Sequence, residues 1–273
     1  MRQYLDLVED VLRYGERTTN RTGVETRSVF GEMCRYDLRQ GFPILTTKKI
    51  LWHTVVAELL WFIRGGHNVR DEDAPKRIWD AWADEDGELG RIYGVQWREW
   101  DAGLQYDGWY KHKYIDQLQL AIKRVKTLPN SRRNLVTAWN VGEVESGKCS
   151  FPPCHVLFQF RRYGQFLDMS MYQRSGDVAL GVPFNISSYA LLLSMVAHEC
   201  QLTSRFLVHF LGDCHIYQNH IPGLERQLGR VPHRLPTLRF TCPPGTPVVE
   251  MHHTMIHLDN YTHEPFIPFE VAV

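Results

Sequence analysis

Apolar residues recur at helical spacing near the start of the chain, with Leu5, Val8 and Leu12 marking an amphipathic helix over Tyr4–Tyr14. A polar stretch follows from Gly15 to Thr26, and Ser28–Leu38 then reads as a strand that ends in the turn Gly41-Phe42-Pro43. Thr54–Arg64 is apolar on nearly every face and long enough to predict a buried helix. Gly65–Trp100 is rich in loop residues, and the polar, glycine-containing Asp101–Lys113 reads as a surface insertion. Ile115, Leu118, Ile122 and Val125 form a second helical stripe that stops near Pro129-Asn130. Strands are predicted at Asn134–Trp139, His155–Phe160, Phe206–Phe210 and Arg234–Phe240, a long apolar helix at Ser187–Cys200 and a short one at Leu224–Leu228. With no repeat and no low-complexity linker, these elements predict one α+β domain spanning residues 1–273.

Composition narrows the class. The chain carries 31 basic and 31 acidic residues, so a general nucleic-acid binder, which needs an excess of positive charge, is excluded. No apolar run approaches the ~20 residues that span a bilayer, and the charged start M-R-Q-Y-L-D is unlike a signal peptide. The six cysteines are scattered without a C-x-x-C pair, which fits reduced thiols in a cytoplasm better than a disulfide framework or a zinc site. No metal is expected.

Chemistry concentrates between Ser150 and Tyr189. Cys154 follows Pro152-Pro153, which stiffen the backbone, and precedes a predicted strand. It reads either as a small buried residue or as an oriented nucleophile. Close behind stand Gln173, Arg174, Ser175, Asp177, Gly181 and Asn185. Arg174 and Ser175 suit a phosphate, and a nearby arginine lowers a thiol's pKa. Asp177 can exchange a proton, and Asn185 offers both an acceptor and donors, as the edge of a nucleobase requires; Asn185 equally reads as the cap of the helix that follows. Glu58, inside an apolar helix, is either at the helix edge or buried with a raised pKa and a role in chemistry. Trp79, Trp82, Tyr93 and Trp97 read as core or as the wall of a pocket for a flat heterocycle. His215 and Tyr217 lie two apart, and on a strand they share a face. Arg132-Arg133 reads as a phosphate site or a solvated corner.

Taken together these residues resemble thymidylate synthase and its pyrimidine hydroxymethylase relatives. The resemblance runs in order through N-R-T-G at 20–23, G-F-P-I-L-T-T-K-K, E-L-L-W-F, I-W-D-A-W, Y-G-V-Q-W-R, S-R-R, A-W-N-V-G-E, P-P-C-H, Y-Q-R-S-G-D, L-G-V-P-F-N, G-D-C-H-I-Y-Q-N-H and the final E-V-A-V. It implies a large mixed β-sheet covered by helices, paired back to back in a homodimer. It implies that Cys154 attacks carbon 6 of dUMP, that Glu58 and Tyr93 handle protons, and that Asn185 reads the uracil edge. Arg21, Gln173, Arg174 and Ser175 would hold the nucleotide with Arg132 and Arg133 of a partner subunit, and His215 and Tyr217 would bind its sugar. Lys48, Ile78, Trp79, Trp82, Asp177, Leu180, Gly181, Phe184, Ala272 and Val273 would meet 5,10-methylenetetrahydrofolate, Val273 closing the site. Glu25, Leu51, Gly176 and a long segment before Cys154 depart from the family pattern.

The activity so implied is reductive methylation of dUMP to dTMP in the cytoplasm. Hydroxymethylation of dUMP, with water in place of hydride, is the alternative; a nucleotide-binding regulator without turnover is the other. Asn185 argues against a cytosine substrate, which needs an acceptor opposite its amino group.

Overall fold

The computed structural model describes residues 1–20, 22–106 and 110–271. Six strands form one sheet in the order β1 (Glu16–Thr18), β2 (Thr26–Asp37), β8 (Thr203–Tyr217), β7 (Phe166–Asp177), β6 (His155–Tyr163) and β5 (Leu135–Thr137). Neighbours are antiparallel except β7 and β8, which are parallel and make the sheet mixed. Parallel neighbours need a crossover, and α7 (Gly181–Glu199) supplies it. From Val182 to Ala197 α7 is buried almost all round, so its apolar run S-Y-A-L-L-L-S-M-V faces protein on every side. Two of its serines avoid an orphaned hydroxyl by bonding back one turn: Ser194 Oγ to Ala190 O and Ser187 Oγ to Pro183 O.

The other helices cover the core. They are α1 (Arg2–Tyr14), α2 (Trp52–Ile63), α3 (Lys76–Trp79), α4 (Tyr93–Arg98), α5 (Gln117–Thr127), α6 (Val141–Glu145) and α8 (Ile221–Leu228). Trp61 of α2 and Trp97 of α4 are the bulkiest fully buried side chains; Phe62 lies edge-on to Trp97 with ring centroids 5.8 Å apart. A single-domain α+β architecture with a large mixed sheet results.

Four elements differ from the sequence expectation. The polar stretch after Trp100 is exposed, yet it is a hairpin of β3 (Trp100–Tyr106) and β4 (Tyr110–Ile115) with a bulge between Asp101 and Leu104. β7 carries the chemical motif on a strand that its polar residues hid. α7 starts at Gly181, six residues before the apolar run signals it, so Asn185 lies inside the helix and is not its cap. The turn into α7 is held by Asp177 Oδ1, which accepts the N–H groups of Ala179 (2.9 Å) and Leu180 (3.0 Å). The last predicted strand is shortened to β9 (Thr237–Phe240), which pairs with β10 (Ile256–Asp259).

Near the site the sheet changes which alternate positions it buries. Along β8 the odd positions Leu207, His209 and Leu211 are buried, and from Gly212 onward the even positions Gly212, Cys214 and Ile216 take over. β7 makes the same slip between Gln173 and Gly176. A one-residue change of parity turns every following side chain over. Gly212 is required there, because a Cβ would sit 2.8 Å from both Arg174 O and the Tyr172 hydroxyl. His209 therefore faces the core, whereas His215 and Tyr217 are partly open.

Candidate active site

One end of the sheet gathers the chemistry. β6 begins there with His155, β7 ends there with Gln173–Asp177, β8 ends there with Asp213–Tyr217, and β2 begins there at Thr26. Register makes the juxtaposition specific: His155 faces Gln173, Ser175 faces Asp213 and Asp177 faces His215. The loop entering β2 is anchored beside them by Gln218 N–H to Glu25 O at 2.9 Å. Asn20 closes that loop on itself, accepting from Thr22 N at 2.9 Å and donating to Val24 O at 2.9 Å. Arg21, Ala272 and Val273 lie outside the described residues.

Cys154 sits half-buried in the turn before β6. Its N–H donates to Tyr93 Oη at 2.9 Å, and its carbonyl accepts Arg174 N–H at 2.8 Å. Arg174 grips the proline ramp as well: Nε donates to Pro153 O at 2.9 Å and Nη2 to Pro152 O at 2.8 Å. The guanidinium lies over the Trp139 ring, 5.2 Å from its centroid. The cysteine's approach angle is thus set by two prolines, one tyrosine and one arginine. None of the six cysteines is in a disulfide.

Tyr93, at the start of α4, is buried, and burial, with Cys154 adding, holds its phenol well above the ordinary value. It therefore stays protonated at neutral pH, its oxygen accepting the Cys154 N–H. The His155 ring packs on Tyr93 with centroids 4.9 Å apart. Burial pushes His155 down to about 4, so it is neutral; a hydrogen bond to Asn185 opposes that shift and the Arg174 charge adds to it.

Glu58 resolves the two readings of its sequence position. Its residue surface is partly open, but the carboxyl is enclosed, and burial pushes its pKa up to about 7. Trp79 Nε1–H donates to Glu58 Oε1 at 3.0 Å and offsets part of that rise. A carboxyl poised near neutrality is suited to giving and taking a proton.

Beside Glu58 stands an aromatic wall. Trp79 meets Trp82 at 5.8 Å and Phe151 at 5.9 Å, and Trp82 meets Phe151 at 5.5 Å. Ile78 on α3 and Leu180, Gly181 and Phe184 at the start of α7 are half-buried. Aromatic side chains packed edge-to-face beside a carboxyl poised near neutrality form a wall suited to a flat ring. Lys48 is placed otherwise than its expected contact with a folate tail: it is buried, with Nζ donating to Ala179 O at 2.5 Å and lying 4.6 Å from the Phe269 ring centroid. Burial depresses it to about 7 despite the Asp177 charge. In this geometry Lys48 supports the turn into α7 and the C-terminal segment.

His215 and Tyr217 share a face, rings edge-on at 5.5 Å, as the two-residue spacing predicts. His215 Nδ1 pairs with Asp213 Oδ1 at 2.7 Å, so Nδ1–H donates and Nε2 is left as an acceptor for a hydroxyl. Arg132 and Arg133 are exposed at the entrance to β5. Among the described residues no hydrogen bond or ion pair joins either side chain to the cluster around Cys154. Gln173 is 2 % exposed, with both ends of its amide engaged inside the protein, so it supports Asn185 instead of facing a ligand.

Phe151, His155, His209 and Trp139 had escaped notice as site residues. His155 alone had a signal, adjacency to Cys154; the others are brought in by packing. No group of His, Cys, Asp and Glu with metal-holding geometry occurs among the described residues. None of their helices is long and apolar enough to cross a membrane. The description "Thymidylate synthase" belongs to the family model that matches residues 2–273, nearly the whole chain. The match spans nearly the whole chain, and the chain belongs to the thymidylate synthase family.

Proposed function

We propose that the protein converts dUMP to dTMP, using 5,10-methylenetetrahydrofolate as one-carbon and hydride donor. The observation that carries this reading is the convergence of Cys154, Tyr93, Glu58 and Asn185 at one end of the sheet. Cys154 as thiolate adds to carbon 6 of the uracil, which makes carbon 5 nucleophilic. Arg174, next to Cys154, favours the thiolate and, with Ser175, is suited to the phosphate. Asn185 donates to oxygen 4, where negative charge develops, and Glu58 relays protons near the base. Tyr93, held protonated, orients the species that removes the carbon-5 proton. The folate supplies the one-carbon unit and the hydride when bound, and the wall of Trp79, Trp82 and Phe151 orients it and excludes water.

The second part of the proposal is a back-to-back homodimer. Met33, Phe210, Tyr172 and Leu157 lie in one register row across β2, β8, β7 and β6. The first three are 56 %, 43 % and 36 % exposed, and Phe30 is 83 % exposed. An apolar row of this kind across a sheet supports burial against a second copy. Arg132 and Arg133, exposed and remote from Cys154, are then free to serve the partner's phosphate.

The test is incubation of the protein with dUMP and methylenetetrahydrofolate, following dihydrofolate by absorbance and the nucleotide by mass. dTMP with equimolar dihydrofolate is expected. 5-Hydroxymethyl-dUMP with tetrahydrofolate would establish the hydroxymethylase instead, and neither product would sink the enzymatic reading.

A further inference from the structure

A hydrogen-bonded chain runs from the core to the base-reading asparagine. His209, on the buried face of β8, pairs through Nε2 with Gln173 Oε1 at 2.9 Å. Gln173 Nε2 donates to Ser175 O at 2.9 Å and to Asn185 Oδ1 at 3.0 Å. Both N–H groups of Gln173 are thus spent on acceptors, which leaves its oxygen toward His209. Only a donor satisfies that oxygen, so His209 carries its proton on Nε2. Its Nδ1 is buried with no partner among the described residues. A buried nitrogen without a partner is costly, and an aliphatic side chain would fill the core without that cost. The value of a histidine here lies in the other nitrogen.

We propose that His209 is a positioning residue that holds the Asn185 amide, through Gln173, in the orientation that reads uracil and rejects cytosine. Asn185 Oδ1 accepts from Gln173, His155 hydrogen-bonds the same amide, and the NH2 arm is turned away from Gln173. That arrangement offers a donor to oxygen 4 and an acceptor for the N3–H of uracil. Cytosine presents the reverse, an amino group and an unprotonated N3, and needs the amide flipped. A flipped Asn185 sets its NH2 against the Gln173 NH2. Gln173 cannot flip to relieve it, because its oxygen would face Ser175 O and its NH2 would face the His209 N–H. Ser175 O is main chain and cannot be altered by substitution; His209 is the other end of the lock. Burial keeps His209 neutral, its pKa pushed down to about 3, and the Gln173 oxygen, oriented by the bond from Gln173 Nε2 to Ser175 O, sets which nitrogen carries the proton.

This inference rests on the reading that a pyrimidine nucleotide binds beside Asn185. Its test is calorimetric binding of dUMP and dCMP to the wild-type protein, His209→Leu and His209→Gln. A preference for dUMP is expected in the wild type. In His209→Leu it should fall about tenfold, or 1.4 kcal/mol, chiefly through weaker dUMP binding and stronger dCMP binding. His209→Gln, which can still donate, should come back to within about threefold of wild type at the same conversion. A preference unchanged in His209→Leu, or equal weakening of both nucleotides, overturns the inference while leaving the substrate reading intact. Absence of any dUMP preference in the wild type overturns both. The wild-type protein also answers directly: 15N NMR of its histidines, with the His209 signal assigned by its loss in His209→Gln, should show a neutral Nε2–H tautomer between pH 5 and 8. An Nδ1–H tautomer or a protonated ring there overturns the proposal whether or not the leucine variant folds.

Discussion

Glu58→Gln should make the protein more stable at pH 8 and less active at every pH. The carboxyl titrates at 4.5 when exposed and at about 7 in the fold. Between those values the folded chain holds a proton that the unfolded chain has released, so folding free energy weakens as pH rises. Its contribution is complete below pH 4.5 and is lost as pH passes through about 7. At 1.36 kcal/mol per unit the loss is about 3 kcal/mol, which the partly open surface of the residue trims to about 2–3 kcal/mol. Glutamine cannot ionise and keeps an oxygen for Trp79 Nε1–H, so it removes this penalty without breaking the bond. His155 and His209, both depressed by burial, tilt the curve the other way: they lose stability as pH falls below the ordinary histidine range. Because both proteins contain them, that slope cancels in the difference. The assay is urea unfolding of each protein from pH 4.5 to 8.5, with the m-value checked for constancy. The difference in stability should grow in favour of glutamine from pH 4.5 and level off above about pH 7, while turnover falls by roughly 10²–10⁴-fold. A flat difference across that range would refute burial as the cause of the raised pKa. Stability gained where activity is lost is the expected signature of a group held for chemistry.

Cys154→Ala should abolish turnover and the mass shift of a covalent nucleotide adduct, yet retain dUMP binding within about tenfold, 1.4 kcal/mol, by calorimetry; measurable product from the purified variant excludes Cys154 as nucleophile. Mixing Cys154→Ala with an Arg132→Ala/Arg133→Ala double variant should restore activity in hybrid dimers, since one of their two sites keeps every group. A sedimentation profile of monomers, or no recovery after verified exchange, rules out the shared site. Lys48→Met should remove a rise in stability between pH 7 and 10.5: the folded chain gives up the Lys48 proton near 7 and the unfolded chain only near 10.5, so stability grows with pH across that window. Urea midpoints of the two proteins at pH 7 and 10 check it, and parallel curves contradict the burial of Lys48.

The residues by themselves carried a great deal. Helical spacing of Leu5, Val8 and Leu12 and the apolar runs at 54–64 and 187–200 are local signals, and each became a helix because its apolar side had to be covered. The order of short motifs, P-P-C-H and Y-Q-R-S-G-D among them, pointed to the family without any coordinates. Tertiary structure decided what depends on residues far apart in the chain. Glu58 was equally readable as a surface or a buried carboxylate until Trp79, 21 positions later, came within 3.0 Å of it. The strand at Phe166–Asp177 was hidden by the polar run Gln173–Asp177 at its end, and pairing with β6 and β8 supplied the hydrogen bonds that made it a strand. Lys48, polar in sequence, is buried because Ala179 O and the Phe269 ring receive its ammonium. Strict alternation puts His209 and His215 on one face; the slip at Gly212 sends His209 into the core as a support and leaves His215 toward the site. That parity is set by how closely β7 approaches β8, a distance no local pattern encodes.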